Sequence, residues 1–331
     1  MTKVTISDVA KEAGVSTMTV SRVLNGKGEL RADTRKRVMR AIEKLNYRPS
    51  AIARSLATRR TRTIGLTVPD ITNPFFPEIV RGAEEAAWQA GYTIVLSNTV
   101  EDLERETAAI ERLEDNRVDG VILCSARLPM DRLLPLLKHH SNAVLVNRAA
   151  PSEAIGTVQI DDTYGTMRAV HHLLASGHSK IGLLAGPPAS QSAAKRLRGF
   201  IDAHETTGQQ VDTSRIEPCF PNEDGGVRAA KALLERHPRL EALVCYNDLV
   251  AVGALQACAE LGINVPDDLA IIGCDDIRLA SLVRPALTTL RADKRQLGER
   301  AVTMLIDMLA GRSQPQTIII KPELIVRQSA P

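Results

Sequence analysis

From Thr63 onward the chain alternates short apolar runs with amphipathic helical stretches: TIGLTV, then PFFPEIVRGAEEAAWQAG, YTIVLSN, a charged helical stretch, VDGVILCS and AVLVN. A continuous apolar run is a strand buried on both faces, and strands separated by helices are parallel, because only a crossover lets the next strand start at the same edge. A second set opens near Thr157 with TVQID and continues through KIGLLAG, ALVCYN and LAIIGCD. Gly91, Gly177 and Gly262 fall where helices should end. The expectation is an α/β body of two doubly wound halves. Ligands of such sheets sit beyond the C-terminal ends of the strands, so the loops there hold the candidate site residues.

Several chemistries are missing from that scaffold. No GxGxxG follows the first strand, and neither GxxxxGK[ST] nor GxSxG occurs. The carboxylate pairs Asp161-Asp162 and Asp275-Asp276 lie on extended chain, where neighbours point to opposite faces and cannot share acid-base work. The five cysteines, Cys124, Cys219, Cys245, Cys258 and Cys274, show no CxxC spacing and read as free thiols. His139-His140 and His171-His172 are adjacent on helical stretches, so neither pair forms a chelate by itself. No catalytic residue, metal or cofactor is expected. No apolar run approaches the roughly 18 residues of a membrane span. The N-terminal MTKVTISDVAKEAG has no apolar signal core, so a cytoplasmic chain without membrane association is expected.

Charge divides the chain differently from hydropathy. Residues 1–62 hold 15 Lys and Arg against 5 Asp and Glu, while the remaining 269 hold 27 against 34, so a head of +10 precedes a body of −7. Such a head has the electrostatics of a nucleic-acid-binding module. Within it Ile6, Val9, Ala10 and Ala13 form one amphipathic stripe, with Thr5 or Ser7 available as its cap, and Gly14 ends it. Ser16 is placed to cap a second helix whose core stripe is Val20, Val23 and Leu24. A third stripe, Val38, Ala41, Ile42 and Leu45, follows between Ala32 and Leu45. Two short helices joined by a tight Gly turn, closed by a third, make a helix-turn-helix. At about 100° per residue Thr17, Met18, Ser21 and Arg22 share the face opposite the core stripe. Hydroxyls, an arginine and a methionine on a face free of acids suit a major groove, where guanine O6 and N7 accept from Arg and thymine offers a methyl.

The stretches TISDVAKEAGVSTMTVSRVLNG and NYRPSAIARSLATRRTRTIGL, followed in order by NPFF, VDGVIL, SGHSKIGLLAGP, NDLVAVGAL, VPDDLAIIGCDD and PALTTL, cover nearly the whole chain. Together they resemble the lac repressor and galactose repressor family of bacterial transcription regulators. The resemblance implies a helix-turn-helix head at residues 1–47, a hinge helix and linker at 48–62, and an effector-binding and dimerisation domain at 63–331 with a periplasmic-binding-protein-like fold. Its first lobe would hold about 63–160 and 291–317, and its second about 161–290 and 318–329. The function so implied is a regulator, usually a repressor, that binds a palindromic operator as a homodimer and responds to a sugar or related metabolite. A solute-binding protein of the same body fold is the alternative, against which the basic head argues.

Residue by residue, the resemblance places Thr5, Ser16, Thr17, Met18, Ser21, Arg22 and Asn25 of the head on DNA. From the hinge it adds Ala53, the minor-groove wedge Leu56, Arg59 and Arg60. In the body it implies an effector set of Asn73, Phe75 and Phe76 from DITNPFF, Asn147 and Arg148 after AVLV, Asp161 of VQIDD, Arg196 of RLRGF, Tyr246, Asn247 and Asp248 of YNDLV, and Asp275 of GCDD. Many relatives carry Asp where Asn147 stands, and pentose-binding relatives commonly carry Gln where Ala292 stands, which speaks against ribose.

Overall fold

The structure, a computed structural model, describes residues 4–24, 31–47, 60–140, 142–208 and 210–331. It contains two compact units, Met1–Thr61 and Arg62–Pro331.

In the first unit α1 (Ile6–Ala13), α2 (Thr17–Leu24) and α3 (Ala32–Lys44) enclose a small core of Val9, Ala10, Ala13, Val20, Val23, Val38 and Ala41. Thr5, rather than Ser7, caps α1: Asp8 N–H donates to the Thr5 hydroxyl, and the Asp8 carboxylate accepts Thr5 N–H at 2.8 Å, a reciprocal capping box. Gly14, at φ 64°, supplies the left-handed turn between α1 and α2. Ser16 starts α2, its hydroxyl accepting Thr19 N–H at 3.2 Å.

The second unit is built on two six-stranded sheets. Its elements, in chain order through the first lobe, are β1 (Thr63–Val68), α4 (Phe75–Gln89), β2 (Thr93–Asn98), α5 (Leu103–Asp115), β3 (Gly120–Cys124), α6 (Met130–Leu137), β4 (Ala143–Val146) and β5 (Gly156–Ile160). The second lobe follows with α7 (Asp162–Ala175), β6 (Ile181–Leu184), α8 (Gln191–Thr206), β7 (Ile216–Glu217), α9 (Glu223–Arg236), β8 (Ala242–Cys245), α10 (Asp248–Leu261), β9 (Ala270–Cys274) and β10 (Thr288–Arg291). The chain then returns through α11 (Lys294–Leu309) and β11 (Thr317–Ile320) before ending near β12 (Glu323–Ile325).

The strand order is β11-β5-β4-β3-β1-β2 in one sheet and β12-β10-β9-β8-β6-β7 in the other. Two expectations are corrected here. TVQID does not open the second set: β5 pairs with β4 and β11 in the first sheet, so the first crossover follows Ile160, where the resemblance put the end of the first lobe's opening stretch. The last crossover follows Ile320 rather than Thr317, because Thr317–Ile320 pairs along β5 and turns Ile318 and Ile320 onto the first lobe's core. All described pairings are parallel except β12 with β10. The link from β11 to β12 is only Lys321 and Pro322. A chain leaving one sheet at its C-terminal edge and crossing at once into the facing sheet must run that sheet backwards.

Both faces of each sheet are covered, as parallel sheets require. In the first lobe Ile64, Leu66, Ile122 and Val144 pack toward α4 and α11, while Val121, Leu123 and Leu145 pack toward α5 and α6. The second lobe has the same two-sided arrangement. Helices α4 and α11 meet backbone to backbone. A Cβ at Gly82 would lie 2.1 Å from the Arg295 carbonyl oxygen, and one at Gly298 would lie 2.0 Å from that of Ile79. That contact binds the returning α11 to the first lobe, directly after the crossover that begins beside Asp275 and Asp276.

Candidate DNA-binding face and effector cleft

On α2, Val20 and Val23 are buried and Leu24 is half-buried, which turns Thr17, Met18 and Arg22 to solvent. Met18 is 64% exposed, unusual for an apolar side chain with a three-helix core beside it. Ser21 is half-buried on the same side. Thr5 and Ser16 are exposed, and their hydroxyls are engaged in helix caps. Asn25, Ala53, Leu56 and Arg59 lie outside the described residues, and Arg60 is exposed.

In the second unit the strands of both sheets end in loops that carry the effector set, and the backbone there is unusual. Ser125, Asn147, Asp275 and Asp276 have φ of 48°, 55°, 120° and 48°, left-handed values that cost side-chain-bearing residues energy and concentrate where a site over-determines the chain. Gly186, at φ 74°, leaves room for Tyr246: a Cβ there would lie 2.4 Å from the ring.

The centre of the second-lobe edge is Arg196, 6% exposed. Its Nε donates to Asp162 Oδ1 at 2.9 Å, its Nη1 donates to the Tyr246 carbonyl, its Nη2 lies 3.7 Å from Asp275 Oδ1, and its guanidinium stacks 4.9 Å from the Tyr246 ring centre. The Tyr246 hydroxyl lies 3.0 Å from the Ser190 hydroxyl. Burial opposes the charge on Arg196, but Asp162 and Asp275 outweigh it and hold the guanidinium firmly protonated. For Asp275 the balance is reversed: burial pushes its carboxyl up to about 8 despite Arg196. Asp248, fully buried, is pushed up to about 6 by burial, against a hydrogen bond from Thr289 and one from Ile277 N–H at 2.8 Å.

The predicted residues divide into two groups. Arg196, Tyr246 and Asp275 come together as a clamp. Asn247 and Asp248 instead hold their own loop: Asn247 caps α10 by accepting Val250 N–H at 2.8 Å and donates to Pro221 O at 3.1 Å, and Asp248 ties β9 and β10. Asp161 caps α7, accepting Tyr164 N–H at 3.1 Å, while Asp162, its neighbour, faces Arg196. Asn73 accepts Phe75 N–H at 3.0 Å. Phe75 and Phe76, each 5% exposed and edge to face at 5.2 Å, pack with Leu249 and Ile277 as an apolar floor between the lobes rather than as open rings. Asn147 accepts Ile160 N–H at 3.3 Å.

On the first-lobe edge the structure adds residues the sequence did not single out. Arg127 forms a bidentate pair with Glu101 at 2.6 and 2.9 Å and donates to Ser125 O at 2.9 Å. Glu106, 2% exposed, accepts Arg127 N–H at 2.9 Å and Leu128 N–H at 3.0 Å, and burial raises its carboxyl above the usual range. Burial opposes the charge on Arg127; the Tyr246 phenol of the facing lobe and Glu101 restore it. Two further hydrogen bonds cross between the lobes, from Ala149 N–H to Gln191 and from Lys195 to Gln159. Phe220, 50% exposed after β7, adds an open ring at the second-lobe edge. The sequence signal for it was slight, since β7 is two residues long and shows no apolar run.

All five cysteines are free, and four are buried. Among the described residues no group of three His, Cys, Asp or Glu side chains could hold a metal ion, and no helix is long and apolar enough to cross a membrane. The paired histidines diverge: His171 meets Thr206, and His172 meets Ala330 O.

Residues 5–50 match the family described as bacterial regulatory proteins, lacI family, and residues 170–330 match the periplasmic binding protein-like domain. The HTH-type transcriptional repressor PurR of Photobacterium profundum is 36% identical over 328 residues, 98% of each chain. The protein of that name from Proteus mirabilis is 37% identical over 329 residues, 98% of this chain and 96% of that one. Among solved structures, the lac repressor dimer bound to operator and the anti-inducer ONPF superimposes with a TM-score of 0.89 at 29% identity, covering 99% of both chains. The transcriptional regulator CelR–cellobiose complex gives 0.76 at 30% identity, covering 99% of this chain and 100% of that one. With an exposed acid-free helix face on a basic head, a two-lobed body and relatives matched over almost their whole length, the chain belongs to the lacI family of bacterial regulatory proteins and is a DNA-binding transcription regulator, not an enzyme.

Proposed function

We propose that the chain is a repressor that binds a two-fold operator as a homodimer and is switched by a small polar effector, a sugar or related metabolite, held between the two lobes of the body. The observation that carries the effector reading is the Arg196 clamp: one buried guanidinium on α8 held by Asp162, Asp275 and Tyr246, with Tyr246 facing Arg127 of the other lobe. Buried polar forks flanked by aromatic rings select ligands by hydroxyl geometry, and Tyr246 and Phe220 offer such rings. The cellobiose bound by CelR is a ligand of this chemistry.

The control follows from the connections. Arg62, where the body begins, is tied to the first lobe: its N–H donates to Asp119 at 3.1 Å and its carbonyl accepts Thr93 N–H at 2.9 Å. An effector that binds one lobe arrangement better than another therefore changes where two first lobes in a dimer present their heads. The dimer reading rests on β2, an edge strand with Val95 and Leu96 38% and 39% exposed, beside Trp88 at 77%. Thr17, Met18, Ser21 and Arg22 then read base edges in each half-site, with Leu56 and the hinge arginines at the operator centre.

The test is a thermal-shift screen of sugars and related metabolites on the full chain and on Asp275→Asn. A ligand at a hundred times its Kd adds about 2.7 kcal/mol to the wild type. A hit that stabilises the Asp275→Asn variant equally would place its site elsewhere.

A further inference from the structure

The rim of the cleft is bonded from lobe to lobe, and the bonds follow the order of the strands. Beside the first crossover, the Lys195 ammonium of α8 donates to the Gln159 side-chain oxygen of β5. One strand further out, Ala149 N–H, after β4, donates to the side chain of Gln191 at the start of α8. Beyond that, Arg127, after β3, meets the Tyr246 phenol of the second lobe. β5, β4 and β3 are successive neighbours in the first sheet. Gln191 and Lys195 are four apart on α8, so one face of that helix makes both of the inner bonds.

Each side of this seam is fixed by its own lobe. On the first lobe Gln159 is 6% exposed, and its amide nitrogen donates to the Thr157 hydroxyl at 3.1 Å, which donates in turn to Thr317 at 3.0 Å. The Gln159 oxygen takes its donor from the second lobe, and a buried amide oxygen left without a donor is destabilising. On the second lobe α8 is pinned against α7. A Cβ at Gly199 would lie 2.3 Å from the Thr163 carbonyl oxygen, and the Thr163 hydroxyl donates to the Lys195 carbonyl at 3.2 Å. Ser190 caps α8 by accepting Ala193 N–H at 3.2 Å, and its hydroxyl lies 3.0 Å from that of Tyr246. Donors and acceptors on such rigid supports match in one lobe arrangement only. Parting the lobes gives them up to water together.

We infer that α8 carries a built-in latch: Gln191 and Lys195 hold the two lobes closed by bonding the first-lobe rim directly, with no effector needed between them. The resting arrangement of the body is then mainly closed. Where the cleft is the effector site, as proposed above, an effector that favours the closed arrangement finds it already populated. Weakening the latch lowers the apparent affinity for that effector by the fraction of closed molecules lost. That consequence rests on the effector reading; the latch itself does not.

The experiment is hydrogen exchange of the full chain, resolved to single amides by mass spectrometry, with no small molecule added. The samples are wild type, Lys195→Met, Lys195→Arg, Gln159→Leu and the double variant Lys195→Met with Gln159→Leu. The reporter is Ala149 N–H, whose partner is Gln191 rather than Lys195 or Gln159. In wild type it should exchange at least about a hundredfold more slowly than an unstructured amide. Lys195→Met and Gln159→Leu should each speed it about tenfold, and the double variant should add nothing to either. Lys195→Arg keeps a cationic donor and should stay within about threefold of wild type. Asn147 N–H, bonded to Val158, and Asp275 N–H, bonded to Leu290, each lie inside one lobe and should not change, which separates lobe opening from unfolding. An Ala149 amide that exchanges freely in wild type, or that is equally protected in every variant, overturns the latch. Protection lost equally at Asn147 and Asp275 in both single variants reports a role in folding and overturns it too. Because no effector is used, a failed ligand screen leaves the result standing.

Discussion

The head and the cleft recognise their ligands by opposite means. On α2 the candidate contacts are exposed, Met18 by 64%, and their helix is held only by the residues behind them. In the cleft Arg196, Tyr246 and Asp275 are 6–7% exposed and bonded to one another before any ligand arrives. A DNA-reading face can be exposed because the large polyanion brings its own charge and excludes water when it docks. A small effector has few atoms to contribute, so the protein must supply a preorganised, desolvated set of polar groups. Binding and stability are therefore separable in the head and entangled in the cleft.

Arg196→Met should break that contrast most visibly. It strands Asp162 and Asp275 in a buried setting, and losing one partner of such a cluster costs about 3–5 kcal/mol. Arg22→Ala should alter stability by no more than about 0.5 kcal/mol. Calorimetric scans of the two variants test this, and equal losses would erase the distinction between the regions.

Next in size is the effect on DNA. Arg22→Ala should cost about 1–3 kcal/mol of discrimination at one operator position, whereas Arg60→Ala should weaken all DNA alike and lower the salt slope by about one. Anisotropy titrations on operator and scrambled duplexes at several salt concentrations distinguish the two. A specificity loss from Arg60→Ala as large as that from Arg22→Ala would merge the two roles.

The electrostatics predict smaller, opposite pH trends within the body. Asp275 and Asp248, raised to about 8 and about 6 from 3.8, hold protons more tightly folded than unfolded, so their contribution is present at low pH and declines as pH rises from about 4 to 8. Asp275→Asn should flatten the upper part of that decline in urea-unfolding curves. Glu241 is the converse. Burial, the largest single influence, raises it, but the N–H groups of Ser179 and Lys180, the Lys180 ammonium and the Ser179 hydroxyl together bring it down to about 2, so its contribution is lost as pH falls from about 4.5 to 2. Because about a third of the Glu241 side chain is exposed and its charge is screened by solvent, Glu241→Gln should produce the smallest change of the set.

How much the sequence revealed follows the same division. Exposed function on a regular helix is legible because periodicity alone separates Val20 and Val23 from Thr17, Met18 and Arg22. The parallel sheets were legible for a similar reason, through apolar runs punctuated by Gly91, Gly177 and Gly262. The crossovers were not legible from periodicity, since β5 and β11 have the same apolar texture whichever sheet they join; the resemblance put the first after residue 160, where it is, and the last three residues early. Within the cleft, motif resemblance located the loops but could not say which side chain turns inward. Asp161 and Asp162 are equivalent on paper, and only the start of α7 decides that the first caps the helix and the second meets Arg196. Arg127 carried no motif at all; its importance arises from Glu101, Glu106 and Tyr246, which are remote in sequence.

If the body's buried clamp controls an operator affinity that the head supplies, ligand and operator must be coupled through the chain. The most direct measurement is operator binding by fluorescence anisotropy, with and without saturating ligand from the thermal-shift screen, for wild type and Asp275→Asn. Ligand should change the wild-type operator Kd at least roughly tenfold, the size of a coupling free energy of about 1.4 kcal/mol. The Asp275→Asn variant should bind operator like ligand-free wild type but no longer respond. A variant that responds as the wild type does would contradict the clamp's control.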